Sequence, residues 1–285
     1  MKYLTPLLLL LFVTPSAADG ARLLGTGGVM QIEGASGGGL VPWATIAGYG
    51  AGDDTGISAF ISNVRTGDYQ LDAVGAAWSY GNRLEISLAR QNFDIGTLGI
   101  ALDLPDTVLR QNIIGAKLRV AGDIVYGNWP QIAVGVQHKN LVDPAVANLI
   151  GARDDAGTDF YISASRLVLA GIGDRNFFWN ATLRATKANQ LGLLGFGGDL
   201  DDDYSFMLEA AAGVLLDRHT VIGIEYRQKP DNLSFAGEDD WADLFIAYLP
   251  SRSLSLTAAY VDLGAIGGLE RQSGFYLSLQ ATFGE

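Results

Sequence analysis

The 285-residue chain carries 31 Asp and Glu against 19 Lys and Arg, a formal net charge of −12, and no cysteine. That balance excludes a basic nucleic-acid-binding face, and the lack of cysteine excludes a disulfide framework, a lipidated N-terminal Cys and a thiolate metal site. Charged residues make up only 18% and glycine is abundant at 37 residues, as expected where much of the outer surface meets lipid.

Residues 1–18 read as a secretory signal peptide. Lys2 supplies the positive start, Leu4 to Val13 the short apolar run, and Ser16-Ala17-Ala18 the small residues at the cleavage position. The run is too short to span a bilayer as a helix. No later stretch is long and apolar enough to do so, so any membrane crossing has to use strands.

From there the chain alternates with a period of two. A weak first segment, Leu23–Glu33, is interrupted by Gly25, Gly27 and Gly28, and residues 19–39 as a whole read as a first strand or as a plug. The run GASGGG at Gly34–Gly39 reads as a flexible turn or an inward fold. Thirteen further strands follow: Val41–Tyr49, Thr55–Arg65, Asp68–Tyr80, Arg83–Asp94, Val108–Val120, Gln131–Lys139, Thr158–Leu169, Arg175–Lys187, Tyr204–Leu216, Thr220–Arg227, Trp241–Leu249, Ser253–Leu263 and Gly274–Phe283. The last shows the pattern most clearly. Phe275, Leu277, Leu279, Ala281 and Phe283 share one face, and Tyr276, Ser278, Gln280 and Thr282 the other.

Short and long connections alternate along the chain, broken only by a short outside turn at Thr66-Gly67 and a medium inside turn at Ala121–Pro130, as they do where a bacterial barrel puts tight turns on the periplasmic side and long loops outside. The expected fold is all-β: an antiparallel up-and-down transmembrane β-barrel of 12–14 strands in a single domain over 19–285, with fourteen favoured. Pro42 weakens the Val41–Tyr49 strand, because proline cannot donate to a ladder. If the first segment is a plug, twelve becomes the expected number, since single-chain barrels use even counts.

The pattern also sorts side chains. Glu85, Lys117, Arg119, Arg184, Glu209, Glu225, Arg227 and Asp243 all fall opposite the apolar stripe. They are candidate lumen-lining residues, because an outward Arg or Lys costs about 2–4 kcal/mol at the bilayer midplane. They either tune an open pore or fill a closed one with ion pairs. Leu191, Leu193, Leu194 and Phe196 make the 188–203 connection unusually apolar. They are candidates for a constriction loop, although packing on a neighbouring loop is the simpler expectation. Trp43, Trp78, Trp129, Trp179 and Trp241 are expected in interface girdles.

Acidic clusters at Asp201–Asp203, Asp154-Asp155 and Glu238–Asp240 read as solvated loop charge. No metal motif or cofactor-binding motif is present, and no catalytic residue is assigned. His138 with an outer-rim Ser and an acid would be the one hydrolase arrangement, and no nucleophile motif accompanies it.

Four stretches resemble a proteobacterial family of outer-membrane β-barrel proteins of unknown function. They are LLGTGGVMQIEGASGGGLVPWATIAGYG at Leu23–Gly50, LRATKANQLGLLGFGGD at Leu183–Asp199, EYRQKPDNLSF at Glu225–Phe235, and DDWADLFIAYLPSRSLSLTAAYVDLG at Asp239–Gly264. The resemblance implies location and fold and carries over no site residue. The expected role is a passive channel or transporter for an unidentified small solute, with a closed structural or partner-docking barrel as the alternative. The expected partners are outer-membrane lipid, lipopolysaccharide and the barrel-assembly machinery.

Overall fold

Alternating strands must close on themselves to cross lipid, since an open edge would leave backbone groups unpaired. In the computed structural model, which describes residues 22–235 and 237–284, they do so. Two short strands come first, β1 (Val29–Met30) and β2 (Ser36–Gly37), paired only with each other. Twelve wall strands follow: β3 (Thr55–Arg65), β4 (Gln70–Tyr80), β5 (Leu84–Asp94), β6 (Val108–Ala121), β7 (Gln131–Leu141) and β8 (Ala156–Ile172), then β9 (Arg175–Thr186), β10 (Ser205–Leu215), β11 (Thr220–Arg227), β12 (Trp241–Ser251), β13 (Leu254–Asp262) and β14 (Ser273–Phe283). Each pairs antiparallel with the next, and β14 closes on β3 with Phe275 opposite Arg65 and Phe283 opposite Ile57.

The favoured count of fourteen is therefore corrected to twelve wall strands. Both Leu23–Glu33 and Val41–Tyr49 leave the wall. Apart from β1, β2 and a single bridge between Gly37 and Pro42, no residue from Gly27 to Gly48 pairs in a ladder, and all of them are buried. Glycines and Pro42 give this segment no continuous ladder to offer, so it folds inward. The proposed signal peptide, residues 1–18, lies outside the described residues.

Outward positions carry the membrane-facing surface, with Ile61, Leu88, Ile114, Phe206, Leu244 and Leu277 all strongly exposed. The inner face departs from a simple polar lining. Phe60, Val64, Leu71, Phe93, Phe178 and Phe245 also point inward and are buried. They pack against Met30, Ile32, Leu40, Val41 and Trp43 of the inserted segment. A plug with apolar side chains needs apolar partners, so the wall supplies both kinds of residue.

Two short helices lie in the long connections, α1 (Gly96–Ala101) and α2 (Ala145–Leu149). By loop length these connections mark the outer end. Both ends of the plug, at Arg22 and Tyr49, lie at the opposite end, beside the start of β3.

Candidate functional site: the filled lumen

The plug exposes backbone amides and carbonyls that its own short hairpin cannot pair. Buried and unpaired, each would carry a desolvation cost of about 1–3 kcal/mol. Wall side chains meet them instead. Glu85 accepts the N–H groups of Ser36 (3.1 Å) and Ala47 (2.8 Å). Glu225 accepts the Leu40 N–H (2.7 Å) and the Trp43 indole N–H (3.2 Å). Lys117 donates to the carbonyls of Ser36 (2.6 Å) and Thr45 (2.9 Å) and pairs with Glu85 at 3.3 Å. Gln280 accepts from Met30 N–H at 2.8 Å, and Gln91 and Thr182 donate to the carbonyls of Ile32 and Pro42 at 3.0 and 2.8 Å.

The centre of the contact is an ionic cluster toward the outer half. Glu33, at the turn of the plug and fully buried, meets Lys139, Arg227 (2.7 Å) and Arg184 (3.5 Å). Asp159 pairs with Lys139 (2.7 Å) and Arg184 (3.1 Å). Glu209 pairs with Arg184 (2.5 Å) and Arg227 (3.3 Å). Three cations thus face three carboxylates, one of which belongs to the plug. This balance meets the condition for burying charge without a large penalty.

Of the candidate lumen residues, Glu85, Lys117, Arg184, Glu209, Glu225, Arg227 and Asp243 are all buried on the inner face. Glu225 and Asp243 stand directly opposite each other in the β11–β12 register, and Asp243 Oδ1 has no hydrogen-bond partner among the described residues. Arg119 is different. It is half-buried near the inner mouth, 3.8 Å from Asp123, and takes no part in the central cluster. Glu33, Lys139 and Asp159 were missed by sequence reasoning. Lys139 shares the inward parity of Gln131 and Gln137, and Asp159 precedes the outward Phe160, so parity alone carried the signal for both. Glu33 had no such signal, because its segment has no strand partner in the wall.

The 188–198 connection closes the outer side. Leu191, Leu193, Leu194 and Phe196 are buried. The Leu191 carbonyl accepts from Gln111 (3.2 Å) and Lys139 (3.1 Å), and Leu193 reaches a small space shared with Ile32 and Leu40 of the plug. The same loop packs on its neighbours: Phe196 pairs its backbone with Asp154 (3.0 Å), and the Gln190 amide donates to Ala265 O (3.1 Å). Gln190 and Leu191 both take positive φ, 44° and 64°, a conformation costly for side chains with a Cβ. The loop thus lies over the plug and packs on its neighbours. Two cavities beside the plug measure about 50 and about 20 Å³, room for a few waters.

Trp43 and Trp241 depart from the expected girdle. Trp43 packs tilted against Phe178 inside the barrel, ring centres 4.2 Å apart, and Trp241 lies inward beneath Lys229 at 5.1 Å. Trp78 and Trp129 are exposed on the outer surface. His138 points outward, its Nδ1 3.0 Å from Thr158 Oγ1, and no carboxylate is bonded to it among the described residues. Among the described residues no group of three acidic or His side chains is arranged to hold a metal ion.

The model of the family described as "Protein of unknown function (DUF3034)" matches residues 26–280. No curated protein has a matching sequence. Among solved structures, the KdgM porin superposes with a TM-score of 0.51 at 10% identity, covering 79% of this chain and 99% of that one. The NanC porin gives 0.48 at 10%, covering 80% and 98%. An outer membrane channel from Pseudomonas putida F1 gives 0.44 at 12%, covering 84% and 97%. At such identity the likeness to the KdgM porin is one of fold.

Proposed function

The chain belongs to the DUF3034 family, and from that premise we propose that it is an outer-membrane channel for a small solute, closed at rest by residues 22–50 from the inner end and 188–198 from the outer. One observation carries this reading. The plug is held to the wall by hydrogen bonds and ion pairs from side chains, not by a continuous backbone ladder. Water can replace such contacts one by one, whereas extracting a wall strand would break a whole ladder at once. With the plug displaced, Glu85, Lys117, Arg184, Glu209, Glu225, Arg227 and Asp243 would line the passage and set its ion preference, with Arg119 at the inner mouth.

The porin-like fold supports a channel without naming its solute. The second reading, a permanently closed barrel with a structural or docking role, is favoured by the balanced ionic cluster around Glu33. Planar-bilayer recording of the intact folded protein separates the two. Stepwise current from the wild type supports the gated channel. Sustained silence across voltage and pH, with current only after residues 22–50 are removed, would sink it in favour of the closed barrel.

A further inference from the structure

The outer half of the wall is not uniform. On β10, β12 and β14 the outward positions stay apolar to within a residue or two of the outer rim, as at Phe206, Leu208, Leu244 and Phe275. On β5 to β7 they become polar much deeper. Arg90 lies four positions before the outer end of β5 at Asp94, and Asn112 four positions into β6. At roughly 3.3 Å per residue along a tilted strand, that is roughly 10 Å below the rim.

Register brings these residues together. Arg90 stands opposite Asn112, which stands opposite Asn140, and Asn92 stands opposite Arg110. Arg90 and Arg110 are therefore diagonal neighbours on one outward face, within side-chain reach of each other. His138 lies in the next row down, opposite Ile114. Both guanidiniums are exposed on the lipid-facing side, and neither makes a side-chain hydrogen bond or ion pair among the described residues.

Asp72 and Asp94, diagonal to Arg90 and Arg110 in the register, are engaged by other groups. Asp72 accepts from Asn63 (2.7 Å) and Gln70 (3.1 Å), and Asp94 accepts the Gly96 N–H (2.9 Å). Two arginines with ten N–H donors between them thus face the membrane without partners, where outward cations are costly.

We infer that the Arg90–Arg110 face of β5–β7 binds the phosphate of a phosphorylated glycolipid in the outer leaflet. Guanidinium forks match phosphate oxygens in charge and geometry, and the flanking Asn92, Asn112 and Asn140 amides can donate to further oxygens. A second copy of this chain fits less well. Two-fold pairing would set the same unpartnered cations against each other, with the nearby acids already engaged. The inference holds whether or not the barrel conducts.

The test uses the intact protein in detergent, with diphosphorylated lipid A and chemically dephosphorylated lipid A of the same acyl composition as probes. Retained lipid is read by native mass spectrometry. Wild type should hold the diphosphorylated form about tenfold more tightly than the dephosphorylated one, and R90Q/R110Q should lose that preference. These changes remove charge from a lipid-facing surface, so the variant should still fold, and an unaltered shift in gel mobility on boiling checks this. Equal retention of both lipids by wild type overturns the assignment without any variant. So does undiminished preference in R90Q/R110Q. Efficient disulfide dimers of Asn112→Cys in native membranes would overturn it in favour of a second copy.

Discussion

Glu33 and Arg227 lie 194 positions apart in the chain and meet at 2.7 Å inside the barrel. One belongs to the inserted segment and the other to β11, so this contact measures directly whether the plug is seated. Arg227 also donates to the Leu40 carbonyl at 2.9 Å, gripping the plug's return leg.

Replacing Glu33 leaves Lys139, Arg184 and Arg227 facing only Asp159 and Glu209. Breaking a buried pair by removing one partner costs about 3–5 kcal/mol. Glu33→Gln should therefore unseat the plug, seen as greater open probability in bilayers and as new protease cleavage within residues 22–50. Adding Arg227→Gln restores equal charge and should recover part of the closure. If the single variant stays as closed and as protected as wild type, the cluster does not hold the plug.

Gly38 passes against the Glu225 carboxylate so closely that a Cβ there would lie 1.8 Å from Oε1. Gly38→Ala must push Glu225 from its bonds to Leu40 and Trp43 or lift the plug. The expected result is a lower unfolding temperature and raised current, with the barrel itself intact by gel mobility. Unchanged closure would mean the wall yields at this point.

Closure of the outer cap should weaken as pH rises. Burial pushes the Glu238 carboxyl up to about 7, and the Lys229 ammonium at 2.8 Å opposes this only in part. Its Oε1 has no hydrogen-bond partner among the described residues. Lys229, Gln190 and the nearby Asp231 are the groups that face it. An unfolded Glu titrates near 4.3. Since the folded value is the higher, the stabilisation is full below the unfolded value and is lost as pH rises through about 7. Hydrogen exchange in 187–204 and 228–240 should therefore quicken between pH 6 and 8, and Glu238→Gln should flatten that change. A wild-type profile with no pH step would refute the assignment.

Leu277 faces outward near the middle of β14. Leu277→Arg should cost about 2–4 kcal/mol of folding stability in a bilayer, read from urea unfolding in lipid vesicles. A neutral outcome would mean that this face does not meet hydrocarbon.

The barrel was legible from residue order because side chains of a strand alternate strictly, and a lipid face leaves that alternation visible from Thr55 to Phe283. The inward positions of Glu85, Arg184 and Glu225 follow from the same parity. The glycines offered the plug only as one of two readings, and nothing local named its partners. Glu33 sits among glycines in a segment without a ladder of its own, and its partners come from strands that only closure brings around it. The strand count turned on the same point, since Val41–Tyr49 alternates well enough to read as wall while Pro42 and the preceding glycines let it fold inside. Trp241 likewise reads as an interface aromatic until the plug gives the inner face something apolar to cover. Periodicity fixes which way a side chain points, but whether the space it points into holds water or protein is settled only when distant segments meet.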